Sequence, residues 1–268
     1  MQPSLSTHGG RQWPSLLKRR PKIASKEAFL NTVRTALAKG NVGADHTQQI
    51  AEPSPSEDHN VVQKAAALRV YLAQRKDALL EQLHKNALLQ EWNVKFVSSD
   101  DEAREAVVRI AIGLHAQRVV RTDHPVVKRL ALDEAFGAKS IQSTLLASGS
   151  PGVDEGGIQL LAAKANIGIT GMDYLIAETA SASLVSRAGA VRMTSLLPPV
   201  HIAVAQADQV VGSIEDLLVF RQAELAEESS SNWYMNLISG PSKTADIEQT
   251  IVIGVHGPGE VHLVLITG

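Results

Sequence analysis

The chain has 268 residues, with 26 Lys and Arg against 28 Asp and Glu, and this net charge of −2 argues against a dedicated nucleic-acid coat or a polybasic membrane binder. It contains no cysteine, which excludes disulfides, a cysteine nucleophile, a thiolate zinc site and a cysteine-ligated iron–sulfur cluster in this chain. The 44% apolar content is that of a globular protein, no apolar run approaches the roughly 18 residues of a membrane span, and the first residues lack the apolar core of a secretory signal, so a cytoplasmic α/β protein is expected.

Residues 1–22 carry Arg11, Lys18, Arg19, Arg20 and Lys22 and no acid, and read as a flexible basic tail, either a solvated terminus or an arm for nucleic acid or a partner. Ser25 to Lys39 reads as a short helix with Ser25 as N-cap, Phe29, Val33 and Leu37 on one face, and Gly40 as C-cap. Residues 40–58, with Pro53 and Pro55, read as a linker. One long helix is expected from about His59 to Leu89, striped by Val62, Ala65, Ala66, Leu68, Leu72, Leu79, Leu83 and Leu88. The expected organisation is therefore a tail, helix and linker over 1–58 and one α/β domain over 59–268.

From Trp92 strands and helices alternate. Val94–Val97 is a predicted strand, and Ser99 with Glu102 form a capping-box pattern opening a helix to about Leu114. Val119–Arg121 is a second strand, Pro125–Phe136 one helix, and Ser140–Leu146 a third strand. Short joints between such elements imply a mostly parallel sheet flanked by helices. After a Gly- and acid-rich loop come a helix at Ile158–Ala165, a strand at Ile167–Thr170, paired strands at Leu175–Ala177 and Ser183–Ser186, and a strand at Val200–Ala205. A helix from Gly212–Ser213 to about Glu227 takes Ser213 and Asp216 as cap partners. Met235–Ser239, Ile251–Val255 and Val261–Ile266 read as closing strands.

Motifs for dinucleotides, P-loop phosphates, zinc proteases and serine hydrolases are absent. His256 and His262 are poorly spaced as metal ligands, so no metal site is expected. The chemistry concentrates after Ile167, where polar residues interrupt apolar strands and their burial demands partners or a ligand. Glu178 follows Leu-Ile-Ala at a predicted strand end, where desolvation raises a carboxylate's pKa and suits it to act as base, acid or nucleophile. The alternative is a structural acid tied to backbone N–H groups, Arg187 or Arg192. Thr170, Asp173, Thr179 and Ser181 crowd the same strand ends, where open α/β sheets collect ligands.

Pro198 and Pro199 stiffen the approach to the next strand and hold Ser195 and His201 in place, although His201 also reads as a core histidine. Arg192 can clamp an anion or remain a surface charge. Ser239 to Glu248 has the small residues of an anion cradle, with Ser242, Lys243, Thr244 and Asp246 contributing donors and charge, or it is an ordinary turn. His256, in a Gly-rich joint, can reach the same pocket or mark a plain hairpin.

The segments GITGMDYLIAETASASLVS, RMTSLLPPVHIAV and SGPSKTADIEQTIVIGVHGPGEVHLVL, in that order over about 100 residues, resemble the lactate-utilisation (LUD) domain, specifically the lactate-utilisation protein C (LutC) family. The resemblance is looser upstream and does not cover the tail before Ser25. It implies a fold similar to the ribose-phosphate isomerase and CoA-transferase superfamily, with a helical N-terminal arm. It also implies a place in a system that oxidises L-lactate to pyruvate, whose iron–sulfur clusters sit in two partner proteins. This chain is then expected to hold no cofactor, to be the non-redox subunit, and to bind a small carboxylate or phosphate anion. After Ala-Glu-Thr the family pattern commonly has Gly, and here stands Ala180, which narrows any backbone approach to a ligand near Thr179. A stand-alone sugar-phosphate or acyl-transfer enzyme using Glu178, and a scaffold without a ligand, are the alternatives. Superfamily likeness alone does not license thioester chemistry at Glu178.

Overall fold

The computed structural model describes residues 55–147, 155–186, 191–227, 234–245 and 251–268, together with Asn31. Two units are distinguished, Met1–Pro53 and Ser54–Gly268, and all described residues except Asn31 lie in the second. The expected basic tail and most of the expected Ser25–Lys39 helix lie outside the described residues.

The second unit opens with α1 (Pro55–Gln74), whose start overlaps the expected linker; proline at a helix start costs no hydrogen bond. The single helix expected to Leu89 is broken at Arg75, where φ is −109° and ψ 12°, and α2 runs from Lys76 to Leu89. Neither glycine nor proline announces this break. It is tertiary in origin: α1 packs on the late helix Ile214–Glu227, while α2 packs against strands. Two segments of one stripe thus serve different partners.

β1 (Asn93–Val97) leads to α3 (Asp100–Gly113). Glu102 N–H donates to Ser99 Oγ at 3.2 Å, as the capping pattern requires. The reciprocal arm is displaced by one residue, since Glu102 Oε2 accepts from Ser98 N–H at 2.8 Å. β2 (Arg118–Arg121) follows. The expected helix Pro125–Phe136 is two short ones, α4 (Pro125–Arg129) and α5 (Leu132–Gly137), separated at Ala131 with φ 46°. β3 (Gln142–Leu145), α6 (Glu155–Lys164) and β4 (Ile167–Gly171) complete this half.

The chain then leaves the sheet. β5 (Tyr174–Ile176) and β6 (Ser181–Val185) form an antiparallel hairpin, and α7 (Met193–Leu196) returns the chain to β7 (Val200–Gln206). A 3₁₀ turn at Ala207–Gln209, β8 (Val210–Val211) and α8 (Ile214–Glu227) follow. The predicted cap of α8 is present: Asp216 N–H donates to Ser213 Oγ at 3.3 Å, and Asp216 Oδ2 accepts from Ser213 N–H at 3.1 Å. β9 (Met235–Ile238), β10 (Lys243–Ala245), β11 (Ile251–Ile253) and β12 (Glu260–Ile266) end the chain.

Six strands in the order β1-β12-β7-β4-β2-β3 form one parallel sheet. Its central strands β4 and β7 are apolar along nearly their whole length because both faces are covered. One face carries a core of Val107, Phe136, Ile169, Ile202 and Val264 under α3, α4 and α5. The other carries Leu83, Trp92, Ile176, Leu217 and Leu265, packed beneath a second, mixed sheet in the order β8-β5-β6-β9. The three expected closing strands therefore separate: β9 joins the second sheet, β12 sits inside the first, and β11 pairs with β10.

Candidate functional site

β2 and β4 are hydrogen-bonded neighbours, yet their chains leave in opposite directions, β2 toward β3 and β4 toward β7. Such a divergence opens a crevice beyond the carboxyl ends of the strands, the place where open α/β sheets bind ligands. Two side chains meet there. His124, just after β2, lies with Nε2 3.5 Å from Oδ1 of Asp173, just after β4, and the two side chains are 8% and 11% exposed. His124 Nδ1 accepts the Val126 N–H at 3.3 Å, capping α4 and placing the ring proton on Nε2, toward the carboxylate. Asp173 Oδ2 accepts the Val185 N–H at 2.7 Å. Gly171 makes room for the ring, since a Cβ there would fall 2.1 Å from His124 Nδ1. Thr122, fully buried two residues before His124, has no hydrogen-bond partner for its hydroxyl among the described residues. Sequence reasoning missed His124; the signal was a His-Pro pair at the junction of a strand and a helix, an N-cap position at a strand's carboxyl end.

Asp173 also lines a cavity of about 420 Å³ walled by α1, the start of α2, β5, the 3₁₀ turn, β8 and α8. Leu72, Leu79, Val211 and Phe220 form its buried apolar floor. The Tyr174 ring stacks on Phe220, with centroids 5.7 Å apart and planes 14° from parallel. Its hydroxyl donates to Glu224, which also receives Arg221. Burial, then the hydrogen bond and charge of Glu224, push the Tyr174 phenol well above its ordinary range, so it remains a donor. Arg69 and Lys76 stand at the exposed rim, with the Arg69 guanidinium 5.2 Å over the Phe220 ring and Lys76 Nζ donating to the Thr267 carbonyl at 3.3 Å. Among the described residues no carboxylate lies within ion-pair distance of either cation.

Of the residues chosen from the sequence, Asp173 alone lines this cavity. Thr170 and His201 meet inside the sheet, Thr170 Oγ1 2.7 Å from His201 Nε2, both fully buried. Burial, with His262 beside it, depresses the His201 pKa to about 3, so the ring is a neutral core group without access to solvent. Glu178 lies in the exposed β5–β6 turn, so its carboxylate is hydrated and not desolvated as expected. That turn is clamped by α2: Asn86 Nδ2 donates to the carbonyls of Ala177 and Glu178, both at 2.9 Å, and, beyond the end of α2, Trp92 Nε1 donates to that of Ala180 at 3.0 Å. Thr179, Ser181 and Ser239 form a hydroxyl chain with steps of 2.8 and 2.6 Å.

Arg192 is exposed and lies 4.6 Å over the Tyr234 ring, donating to its hydroxyl at 2.7 Å. Ser195 Oγ donates to the Arg192 carbonyl at 3.0 Å, a contact local to α7. The expected cradle is a ribbon: Ser242 N–H donates to the Pro258 carbonyl at 2.8 Å, Lys243 Nζ to Glu91 at 2.8 Å, and Thr244 pairs with Val252 across β10–β11. Its amide and its ammonium are thus occupied by the protein itself. Asp246 lies outside the described residues, and His256 is exposed in the β11–β12 joint.

The LUD domain model matches residues 65–266. The chain is 28% identical over 238 residues to lactate utilization protein C of Halalkalibacterium halodurans, covering 88% of this chain and 95% of that one. It is 33% identical over 126 residues to lactate utilization protein C of Macrococcus caseolyticus, where the match spans 47% of each chain. Its fold resembles the crystal structure of a DUF162 family protein from Deinococcus radiodurans, with a TM-score of 0.51 and 21% identity over 72% of this chain and 98% of that one.

Proposed function

The chain belongs to the LUD domain family, and from that premise we propose that it serves lactate utilisation as the non-redox member of a cytoplasmic system that oxidises L-lactate to pyruvate. We further propose that it binds a small carboxylate or phosphate anion in the cavity beside Asp173. The names of the curated relatives support the role. The absence of cysteine supports the division of labour, because iron–sulfur clusters need thiolates that partner proteins would have to supply. Among the described residues no helix is long and apolar enough to cross a membrane.

One observation carries the anion reading: two rim cations, Arg69 and Lys76, face a ligand-sized cavity without a carboxylate partner among the described residues. A guanidinium and an ammonium offer charge-assisted donors to a carboxylate. Asp173, at the same cavity, offers an acceptor to the hydroxyl of a 2-hydroxy acid. Calorimetric titration of the purified chain with L-lactate, pyruvate and phosphate tests the binding, and growth of a gene-deletion strain on L-lactate tests the role. Saturable heats and lost growth are expected; undiminished growth of the deletion strain contradicts the role.

A second reading, a protein–protein scaffold without a ligand, is favoured by the β10–β11 ribbon and the residues after it, where Ile251, Ile253 and Val255 are more than half exposed. Cross-linking to the iron–sulfur partners through this ribbon, with no heat on titration, would favour it.

A further inference from the structure

We infer that the ligand of the Asp173 cavity is an organic acid with an apolar body longer than that of a three-carbon hydroxy acid, its carboxylate at the Arg69 and Lys76 rim and its body on the Leu72, Leu79 and Phe220 floor. This rests on the anion reading above and names the class of ligand.

Size is the first ground. A cavity of about 420 Å³ exceeds what one three-carbon hydroxy acid fills. Such cavities, near the lower end of the range for drug-sized ligands, hold molecules several times larger than lactate.

The distribution of polarity is the second. Leu72, Leu79, Val211 and Phe220 are each no more than 6% exposed, yet they line the cavity, so the floor is apolar and deep while the cations are on the exposed rim. A small, fully hydrated anion would satisfy the rim and leave the apolar lining without a partner. An alkyl or aryl body set against that lining removes its own surface from water.

The remaining charges set the head group. Glu224 is already met by Arg221 and the Tyr174 hydroxyl. Asp173 and Asp208 line the cavity as well, so that with Glu224 three carboxylates stand against the two rim cations and disfavour a second anionic group. The ligand is therefore a monoanion with its charge at one end.

The test is a calorimetric series on the full chain with L-lactate, 2-hydroxybutyrate, 2-hydroxyhexanoate and 2-hydroxyoctanoate. Affinity should rise about four-fold for each added methylene, as burial of each group predicts. Arg69→Gln should weaken every acid about ten-fold or more while leaving that increment unchanged. Ala73→Phe places a large side chain at the mouth from an exposed helix position and should abolish the increment while the helical circular dichroism is retained. If lactate binds and the longer acids bind no tighter, the inference falls and the anion reading stands. If no acid, pyruvate or phosphate binds, the anion reading falls and takes the inference with it.

Discussion

His124 and Asp173 come from the ends of two adjacent parallel strands and face each other at 3.5 Å across the point where the chain diverges. The contact exists because Gly171 has no side chain: a Cβ would sit 2.1 Å from Nδ1 and 2.3 Å from Cγ of the ring. Gly171→Ala must therefore expel the ring, uncapping α4 and leaving Asp173 without this partner. A loss of about 2 kcal/mol or more is expected in urea unfolding. In a His124→Gly background, which also removes the His124 Cβ that would lie 2.6 Å away, the same substitution should cost much less, and equal costs in both backgrounds would show that the His124 side chain is not what Gly171 accommodates.

His201 makes the fold acid-sensitive. Its folded pKa is depressed to about 3 by burial and by His262, while in the unfolded chain it titrates near the ordinary 6.5. Below pH 6.5 the unfolded state takes up a proton that the folded state refuses. Stability is thus fully present above that value and declines as pH falls toward 3, by about 1.4 kcal/mol per pH unit at most. His201→Gln keeps a polar group beside Thr170 but cannot titrate. Its stability between pH 6 and 4 should fall less steeply than that of the unaltered chain, by close to one proton in the linkage slope. Identical slopes would remove His201 from the acid response.

Ala180 carries φ 50°, the left-handed region in which L-residues are strained by roughly 1–2 kcal/mol. It is also 3% exposed, so glycine there would lose a buried methyl worth about 0.8 kcal/mol. Glycine in addition carries its usual chain-entropy cost of roughly 0.5–1 kcal/mol. The terms nearly cancel, and Ala180→Gly should be neutral within about 1 kcal/mol. Ala182→Gly, in β6 and equally buried, has no strain to relieve and should cost clearly more. Thermal unfolding of the two variants side by side decides it.

That residue also shows where the sequence was legible and where it was not. A departure from a glycine pattern was visible after Ala-Glu-Thr, and the structure places Ala180 at the left-handed backbone angle of the β5–β6 turn, which glycine adopts without strain. The parallel strands β1, β2, β4 and β7 and the Ser213–Asp216 cap were readable because local pattern and tertiary demand agree. The breaks at Arg75 and Ala131 were not, because they arise from which neighbours each half-helix packs against. Polar residues in apolar strands marked burial, yet Thr170 and His201 bond each other within the sheet, with His201 Nδ1 buried and without a hydrogen-bond partner among the described residues. Arg69 and Lys76 lie off the apolar stripe of the long helix expected from the sequence and carry no mark of a site there; only the folding of α8 and β8 against α1 and α2 turns them into a cavity rim.

Glu178 is the last test, because the stand-alone enzyme reading depends on its carboxylate. What the fold uses of Glu178 is its backbone: its N–H donates to the Gly212 carbonyl at 3.0 Å and its carbonyl accepts from Asn86. The side chain is exposed and replacing it removes no buried contact. Glu178→Gln should therefore change stability by less than about 0.5 kcal/mol, the ordinary scale of a surface substitution. It should also support growth on L-lactate in a deletion strain. Asn86→Ala, by contrast, leaves the Ala177 and Glu178 carbonyls without their donor and should cost about 1–3 kcal/mol. A deletion strain that grows with Asn86→Ala but not with Glu178→Gln would show that the carboxylate, and not the shape of the turn, is what function requires.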